Sequence, residues 1–482
     1  MLRYQPILAI TGLLLVALGV VMILPALVDL SAGNPDWMVF ALSGVVTALV
    51  GAVFAIAGRE DEPLGLNLKQ AFILTTVLWF VLPGFAALPF LGLDVDYADA
   101  FFETVSGMTT TGSTVLTGLD SLPPGIHLWR SLLQWIGGVG IVVMAIIMLP
   151  FLKVGGMQLF HAESSDRSEK VLAKSFDLAA WIGGIYVGLT LLCALAYAAG
   201  GMTFFDAICH AMTTLSTGGF STHDASFGYF GDNPELLWTG SFFMLAGAMP
   251  FVAYIGALRG RPYEIFRDPQ VRALVGLLVI VCTGLAFQLT LTGEFTFGQA
   301  LRHSTFNVVS VVTTTGYASL DYTQLGTFSV GLFFVLTYVG GCTGSTAGGI
   351  KIYRLVILWE IIRRQIRLLA HPSRVDPLRY AGRRIPADVP PSVLAFLTLY
   401  VGTTVIITMI LAALGLDFVT AISAAVTAVG NVGPGLGEIV GPAGNFGSLP
   451  DAAKIALTFA MVLGRLELFT VLVLFDPAFW RW

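Results

Sequence analysis

The sequence predicts an all-α protein that crosses a membrane ten times, with four similar units arranged around one axis. The 482 residues are 56% hydrophobic and 11% charged, whereas a soluble chain carries about 25% charged residues. Ten apolar stretches are long enough to cross a bilayer, and four segments between them repeat one Thr/Gly motif. This composition excludes an ordinary cytosolic enzyme, a disordered protein and a nucleic-acid-binding protein.

Each predicted span has about 20 residues, the length at which a helix crosses the hydrocarbon core. The first stretch is interpreted as an uncleaved helix rather than a signal peptide, because its apolar run exceeds a typical signal core. The first two spans stand outside the repeat and predict an accessory region, residues 1–66. The ten stretches are 5–28, 37–58, 70–93, 131–152, 178–199, 236–258, 273–293, 325–350, 392–413 and 454–475.

Lys and Arg are concentrated on alternate sides of these spans. One set of loops holds 19 Lys or Arg against 11 Asp or Glu and comprises 59–69, 153–174, 259–272 and 351–388. The other set holds one Arg against 13 Asp or Glu and comprises 92–126, 200–234, 292–324 and 414–453. Basic loops stay in the cytoplasm, so we expect the first set and both termini there. The acidic outer loops would concentrate cations, although topology control alone also explains their lack of Lys and Arg.

Four outer segments share a short apolar run that ends in Thr, Ser and Gly. Three of them align without a gap on Gly112, Gly219 and Gly316. In the fourth, either Gly430 or Asn431 takes that place. The runs are too short to cross a bilayer. They predict re-entrant half-helices followed by extended backbone, which is tolerated at membrane depth only inside protein or along a water-filled path.

The repeat divides the chain after the accessory region into four pore units. Each unit is predicted to consist of a span, a pore helix and a second span, and four such units around one axis would form one ion pore. The third unit also contains a broken helix and a basic cytoplasmic segment. The predicted units are 67–174, 175–266, 267–388 and 389–482.

The repeated residues suit the coordination of a dehydrated monovalent cation. Backbone carbonyls replace the hydration shell in potassium-channel filters, Gly adopts the required backbone angles, and Thr and Ser add uncharged oxygens. The alternative, tight turns that cap helix pairs, does not require three consecutive Thr in one register. The irregular fourth segment predicts weaker or fewer ion sites than a fourfold-identical filter. The predicted filter residues are Thr110, Thr111, Gly112, Ser216, Thr217, Gly218, Gly219, Thr314, Thr315, Gly316, Tyr317, Gly430, Asn431, Val432 and Gly433.

These motifs resemble the Trk/Ktr/HKT superfamily of cation transporters, and within it the TrkH family of bacterial potassium uptake subunits. The resemblance covers essentially the whole chain, including the two accessory spans. It rests on Thr-Thr-Gly, Ser-Thr-Gly-Gly-Phe, Thr-Thr-Gly-Tyr and Asn-Val-Gly-Pro-Gly-Leu-Gly at 110–112, 216–220, 314–317 and 431–437.

The resemblance implies gated K⁺ uptake across the bacterial inner membrane, with K⁺ as the bound ion and no organic cofactor. It also implies a homodimer that pairs with TrkA, a cytosolic ring of nucleotide-binding domains, and no nucleic-acid partner. Sodium carriers of the superfamily often have Ser at the first filter glycine, so Gly112 favours K⁺. Sodium-permeable or non-selective transport is the alternative. The expected K⁺ ligands are the carbonyls of Thr111, Thr217, Gly218, Thr315 and Asn431.

The eighth span is interrupted by five glycines within residues 340–349, after a predicted helix at 325–339. Each glycine costs roughly 1 kcal/mol relative to Ala in a helix. The stretch lacks the Gly-Lys-Ser/Thr of a phosphate-binding loop, and close helix packing through small residues is the alternative. The resemblance implies a gate that blocks the pore below the filter. The predicted gate residues are Gly340, Gly341, Gly344, Ser345, Thr346, Gly348, Gly349, Lys351 and Arg465.

Arg465 lies in the middle of the tenth predicted span. A charge at mid-bilayer costs at least about 2.5–3.5 kcal/mol, so it should face the protein interior and meet a partner. Glu467 is two residues away and off its helical face, so the candidates are loop carbonyls, Ser345 or Thr346. The resemblance places such an Arg in the conduction path, in contact with the gate. Lys351 is a weaker candidate that could instead snorkel.

The segment 351–388 holds nine of the 25 Lys and Arg. It is either a topology signal or a docking surface for the cytosolic ring or a second protomer, and 153–174 is a similar candidate. The six His show no catalytic spacing, and we expect His210 and His303 to be packed or hydrogen-bonded. The four Cys are interpreted as small apolar residues. Parallel units argue against the inverted repeats of a symporter, although ion coupling stays open.

Overall fold

The computed structural model describes residues 3–59, 66–148, 170–293, 295–373 and 375–481. The end of predicted span 131–152 and most of segment 153–174 lie outside the described residues. The helices are α1 (Gln5–Val21), α2 (Ile23–Ser31), α3 (Trp37–Ala57), α4 (Leu68–Ala86), α5 (Tyr97–Met108), α6 (Pro124–Met148), α7 (Lys170–Ala199), α8 (Phe204–Leu215), α9 (Pro234–Gly247), α10 (Phe251–Leu258), α11 (Tyr263–Arg267), α12 (Pro269–Leu291), α13 (Phe297–Val312), α14 (Thr327–Leu336), α15 (Ile352–Ala370), α16 (Val389–Ala413), α17 (Phe418–Gly430), α18 (Gly437–Val440), α19 (Asp451–Arg465), α20 (Phe469–Leu472) and α21 (Pro477–Arg481).

Short elements complete the described part of the chain. A two-stranded antiparallel sheet follows α15, with Arg379 of its first strand opposite Arg384 of its second. The strands are β1 (Arg379–Tyr380) and β2 (Arg383–Arg384). The 3₁₀ helices are Leu88–Leu93, Leu119–Ser121, Ser226–Phe230, Tyr322–Gln324 and Val473–Phe475.

Six helices of the described residues are long and apolar enough to cross a membrane, and eight if each of two bent pairs is one span. The predicted span 236–258 is bent, because α9 and α10 meet at 96°. Pro250 lies at this break and cannot continue the helical hydrogen bonds. The predicted span 454–475 is bent too, by 105°. Residues Glu467 and Leu468 have left-handed backbone there, with φ of 56° and 59°.

The four helices that precede the repeated motifs are too short to cross a bilayer, as the repeat predicts. They begin after polar N-cap residues, and the side chains of Thr203 and Asp417 accept hydrogen bonds from the first turns of α8 and α17. Such caps satisfy backbone N–H groups that lack helical partners. Three of the helices have 12 or 13 residues and one has 16; they are α5, α8, α17 and α13.

Two large hydrophobic cores hold the bundle together, and a smaller third cluster surrounds Tyr353 and Ile357 of α15. The first joins the accessory helices to α5, α6, α16, α17 and α19. The second joins α7, α8, α9, α12, α13 and α14. The predicted first and fourth units therefore share one core, and the second and third share the other. Large apolar side chains on the outside of the bundle, such as Leu195 and Ile280, are 67% and 72% exposed, as is typical of lipid-facing helices.

The accessory helices are attached closely to the rest. A Cβ on Gly12 of α1 would lie 2.5 Å from the carbonyl oxygen of Gly51 on α3, so these two backbones are in direct contact. Asp29 of α2 is buried and accepts a 2.7 Å hydrogen bond from the N–H of Gly125, in the first turn of α6. Accessory and pore helices thus form one packed body.

Candidate functional site

The four short helices end in the same turn. One residue takes up left-handed backbone, and the next N–H donates to the carbonyl five residues earlier, which is the Schellman geometry. These hydrogen bonds run from Thr111 to Ser106, Gly218 to Thr213, Thr315 to Ser310 and Val432 to Thr427, at 2.8, 2.9, 2.8 and 3.1 Å. The left-handed residues are Thr110, Thr217, Thr314 and Asn431, with φ of 52–59°. Left-handed backbone is strained for β-branched Thr, and such strain is concentrated at functional sites.

A glycine follows two residues after each left-handed residue. The four have φ of 86°, 77°, 82° and 109° and are Gly112, Gly219, Gly316 and Gly433. The expectation that Gly430 or Asn431 occupies the fourth place was wrong. Gly430 still belongs to α17, and Asn431 takes the left-handed place of the threonines. The fourth segment therefore repeats the backbone of the others, although its sequence does not.

Contacts between these segments close into a ring. A Cβ added to Gly112 would lie 2.1 Å from the carbonyl oxygen of Gly218, and one on Gly219 would lie 1.8 Å from that of Thr315. The corresponding distances are 2.1 Å from Gly316 to Val432 and 2.9 Å from Gly433 to Thr111. Each glycine thus faces a carbonyl of the next segment, and the fourth faces the first. We call residues 110–112, 217–219, 314–316 and 431–433 the Thr/Gly ring.

Residues at the same position of the four ring segments form one level of the ring. The expected K⁺ ligands belong to two such levels. Thr111, Gly218 and Thr315 occupy equivalent positions, and Val432 is the fourth member of their level. Thr217 and Asn431 belong instead to the level of left-handed residues, with Thr110 and Thr314. The predicted filter residues Ser216 and Gly430 precede the ring, and Tyr317 follows it.

Side-chain hydrogen bonds stabilise the ring segments. The Oγ1 atoms of Thr109 and Thr111 lie 2.7 Å apart, and Asn431 Nδ2 donates to Thr111 Oγ1 at 2.9 Å. A second bond of 2.9 Å joins Asn431 Nδ2 to the carbonyl of Met461. Ser113 Oγ donates to the carbonyl of Gly433 at 2.7 Å. The first and fourth segments are therefore locked together.

A buried ion pair that sequence reasoning missed lies beside the ring. Arg130 Nε donates to Glu103 Oε1 at 2.8 Å, and both side chains are at most 2% exposed. Arg130 also donates to the carbonyl of Ser221 at 2.8 Å, and its guanidinium lies 4.1 Å from the ring centroid of Phe220. The sequence signal for this pair was Glu103, an acidic residue inside the apolar run of the first predicted pore helix. Arg130 also lines a cavity of about 70 Å³ that the four ring glycines border.

The Gly-rich loop, residues 340–349, packs against the opposite side of the ring. The helix before it ends at Leu336, three residues earlier than predicted. The N–H of Gly348 donates to Thr314 Oγ1 at 2.7 Å, and a Cβ on Gly348 would lie 2.5 Å from the carbonyl of Gly430. Thr217 Oγ1 lies 3.3 Å from Thr346 Oγ1. The loop therefore contacts the second and third ring segments and the end of α17.

Arg465 meets this loop. Its side chain is 3% exposed, and Nη1 donates to the carbonyl of Thr346 at 2.8 Å. A longer bond of 3.5 Å joins Nη2 to the carbonyl of Gly137. Arg465 forms no ion pair within the described part of the chain. Its predicted contact with a loop carbonyl is present, whereas Ser345 donates to Cys342 instead.

The two charged groups near Arg465 have other partners. Glu467 pairs with Arg354 at the start of α15. The side chain of Lys351 donates to the carbonyl of Ala347, so it reaches back to the Gly-rich loop. The centre of the loop and the start of α15 after it are therefore attached to the bend between α19 and α20.

The remaining sequence candidates lie in the packed interior. His210 is buried and hydrogen-bonds the carbonyl of Asp206 and the hydroxyl of Ser221, at 2.9 and 3.1 Å. His303 bonds Ser319 Oγ at 3.0 Å. Both observations confirm the expectation for these histidines. The four cysteines are buried and unpaired, as expected for apolar packing residues.

A bundle of apolar helices around a ring of carbonyl oxygens is the architecture of a multi-pass membrane transport protein, not of an enzyme. The sequence model of the TrkH family, whose description is "Cation transport protein", matches residues 37–481, and the chain belongs to this family.

Relatives agree with this assignment. The chain is 48% identical over 481 residues to the Trk system potassium uptake protein TrkI of Halomonas elongata, covering 99% of this chain and 97% of that one. It is 36% identical over 491 residues to the Trk system potassium uptake protein TrkH of Escherichia coli, covering 99% and 100%. A crystal structure of the potassium transporter TrkH from Vibrio parahaemolyticus matches with a TM-score of 0.91 and 34% identity, over 100% of both chains.

Proposed function

We propose that this protein takes up K⁺ across the bacterial inner membrane through a selectivity filter formed by the Thr/Gly ring. The observation that carries the proposal is the cyclic contact in which each ring glycine faces a carbonyl of the next segment. Such a ring supplies backbone oxygens in place of the hydration shell of a cation. The relatives named above are potassium uptake proteins.

The filter would hold the ion at three levels of carbonyl oxygens. Each level takes one residue from each unit, and the short helices direct their C-terminal ends, which carry partial negative charge, at the ring. Because backbone oxygens carry no formal charge, they would bind an ion weakly enough for it to enter and leave. The three levels are Thr110, Thr217, Thr314 and Asn431; then Thr111, Gly218, Thr315 and Val432; then Gly112, Gly219, Gly316 and Gly433.

The Gly-rich loop would be the gate. Its contacts with Thr314, Thr217 and Arg465 support this role, because they hold it against the ring. Opening would break these bonds and withdraw the loop. Arg465 would also place a positive charge in the path of a cation while the gate is closed.

We further propose ten spans in four parallel pore units, with both termini in the cytoplasm. The protein would act as a homodimer under the control of a cytosolic nucleotide-binding subunit. Helix α15 supports a docking role, because its later turns expose an apolar stripe beside basic residues. The stripe is Trp359, Ile362, Ile366 and Leu369, 42–76% exposed.

Rubidium tracer uptake into liposomes that contain the protein tests the proposal. We expect excess K⁺ to abolish uptake and excess Na⁺ to spare it, and addition of the cytosolic subunit to change the rate. Equal suppression by both ions would favour the alternative of a sodium-permeable or non-selective transporter. Absence of rubidium uptake with and without the subunit would contradict a pore.

A further inference from the structure

Gln134 of α6 is fully buried and contacts the second ring segment at two points. Its Nε2 donates to the carbonyl oxygen of Gly218 at 2.7 Å, and its Oε1 accepts from the N–H of Phe220 at 3.0 Å. One side chain therefore fixes a carbonyl of the middle level and the backbone two residues further on.

Gln134 also occupies the space of a missing side chain. A Cβ on Gly218 would lie 2.3 Å from Cδ of Gln134. Gly218 is not among the residues with positive φ, so its backbone conformation would accept a side chain. The amide of Gln134, and not backbone strain, excludes one.

The other members of this level carry their own side chains: Thr111, Thr315 and Val432. The Oγ1 atoms of the two threonines lie 2.7 and 2.8 Å from those of Thr109 and Thr313, two residues before them. Hydrogen bonds between neighbouring hydroxyls thus stabilise these segments locally. In the second segment, Gln134 of α6 makes the stabilising hydrogen bonds instead.

Close packing of glycines fixes which residues correspond to Gln134 in other units. A Cβ on Gly137, Gly247 or Gly464 would lie 1.9, 2.8 or 2.0 Å from the carbonyl two residues before an adjacent left-handed residue, that of Met108, Leu215 or Val429. These carbonyls are equivalent in the repeat, so the glycines are equivalent too. Three residues before them stand Gln134, Met244 and Met461.

A methionine cannot donate a hydrogen bond. By this equivalence, Met244 corresponds to a segment with Thr315 at the middle level, and Met461 to one with Thr111. Gln134 corresponds to the segment with Gly218 at that level. Glutamine and glycine together replace the methionine and threonine of these other interfaces, so the two positions are coupled in both shape and hydrogen bonding.

We propose that Gln134 is a positioning residue for ion selectivity, which holds the Gly218 carbonyl at the radius and direction set by the rest of its level. This inference rests on the proposed function of the ring as a filter. An amide N–H behind a carbonyl limits its movement, and an ion smaller than K⁺ would require that carbonyl to move inward. The bond therefore discriminates against Na⁺.

Three variants test the proposal by rubidium tracer uptake into liposomes, with K⁺ and Na⁺ as competitors. Gln134→Met removes the donor at similar side-chain length, and we expect the K⁺ preference over Na⁺ to fall by roughly fivefold to tenfold, the usual effect of one buried hydrogen bond. Gly218→Thr alone should impair uptake, because its Cβ meets Gln134. The double variant should recover most of the preference, because it reproduces the methionine and threonine of the other interfaces.

Size-exclusion chromatography and thermal melting establish that each variant is folded. If Gln134→Met does not fold, Gln134→Leu gives the same test, because an uncharged side chain also removes the donor to Gly218. An unchanged K⁺ preference in the folded variant would overturn the role of Gln134. A double variant no better than Gly218→Thr would overturn the coupling. A wild type without K⁺ preference would instead overturn the proposed function itself.

Discussion

The guanidinium of Arg465 donates a 2.8 Å hydrogen bond to the carbonyl oxygen of Thr346, in the centre of the Gly-rich loop. This contact joins a buried positive charge to the segment that packs beneath the Thr/Gly ring. It has direct consequences for transport, because a loop held by a charged donor needs that donor to be removed or displaced before it can move.

Replacing Arg465 by Ala should raise flux through the closed state. Loss of a hydrogen bond from a charged donor shifts an equilibrium by roughly tenfold or more, so rubidium uptake without the cytosolic subunit should rise by about this factor. Arg363→Ala is the control, since this side chain is 53% exposed and pairs with Glu360 on the same helix. Unchanged or lower flux in a folded Arg465→Ala variant would contradict the gate.

Removing the hydroxyl that holds Gly348 should also loosen the gate. Thr314→Val keeps the shape and leaves the N–H of Gly348 without its 2.7 Å acceptor. We expect basal rubidium uptake to increase by roughly threefold to tenfold. Thr110→Val is the matched comparison, because this equivalent hydroxyl has no partner within the described part of the chain. Equal effects of both variants would show that the loop contact is not the cause.

Gly112→Ser should shift selectivity toward Na⁺. The new Cβ would lie 2.1 Å from the carbonyl of Gly218 at a φ of 86°, so that carbonyl must be displaced. We expect the K⁺ preference, measured by competition against rubidium uptake, to fall by roughly tenfold. Gly201→Ser is the control, since Gly201 also has positive φ but no neighbour within 4 Å of its Cβ position. Identical selectivity in both variants would count against a carbonyl filter.

Glu103→Gln should destabilise the fold beside the ring. It leaves the charge of Arg130 buried without its partner, and breaking such a pair typically costs about 3–5 kcal/mol. A large drop in thermal melting temperature in detergent is expected. Glu264→Gln breaks an exposed pair with Arg261 and should cost less than about 1 kcal/mol. Similar melting temperatures of the two variants would show that the Glu103 pair contributes little.

Much of the ring could be predicted from three gap-free copies of one motif. The fourth copy was misaligned because its left-handed residue is Asn431, so the Thr signature is absent although the backbone turn is the same. Asn adopts left-handed backbone more readily than Thr. The sequence signal for this turn was therefore Gly433, two residues later, and not the residue beside the helix end.

The Gly-rich loop could be recognised because five glycines cannot form a stable membrane helix. The contacts that attach this loop to the ring and to Arg465 could not be predicted. The hydrogen bonds of Gly348 and Thr346 join segments that are far apart in the chain. Gln134 and Glu103 were missed for a similar reason. A single polar residue in an apolar helix has no periodic signal, and its role depends on a partner that only the tertiary structure brings near.

The two bent helix pairs differ in how clearly the sequence marks the bend. Pro250 marks the break between α9 and α10 in the sequence itself. The bend at Leu468 carries no such mark, because a leucine with φ of 59° is held there by surrounding packing.

The four quarters of the Thr/Gly ring are encoded in one chain. In a pore of four identical subunits, any substitution appears four times and changes a whole ring of oxygens at once. Here a substitution alters a single quadrant, as the set Thr111, Gly218, Thr315 and Val432 illustrates. If the ring is the proposed filter, natural variation can adjust ion preference in small steps, and so can a mutational scan of one position at a time.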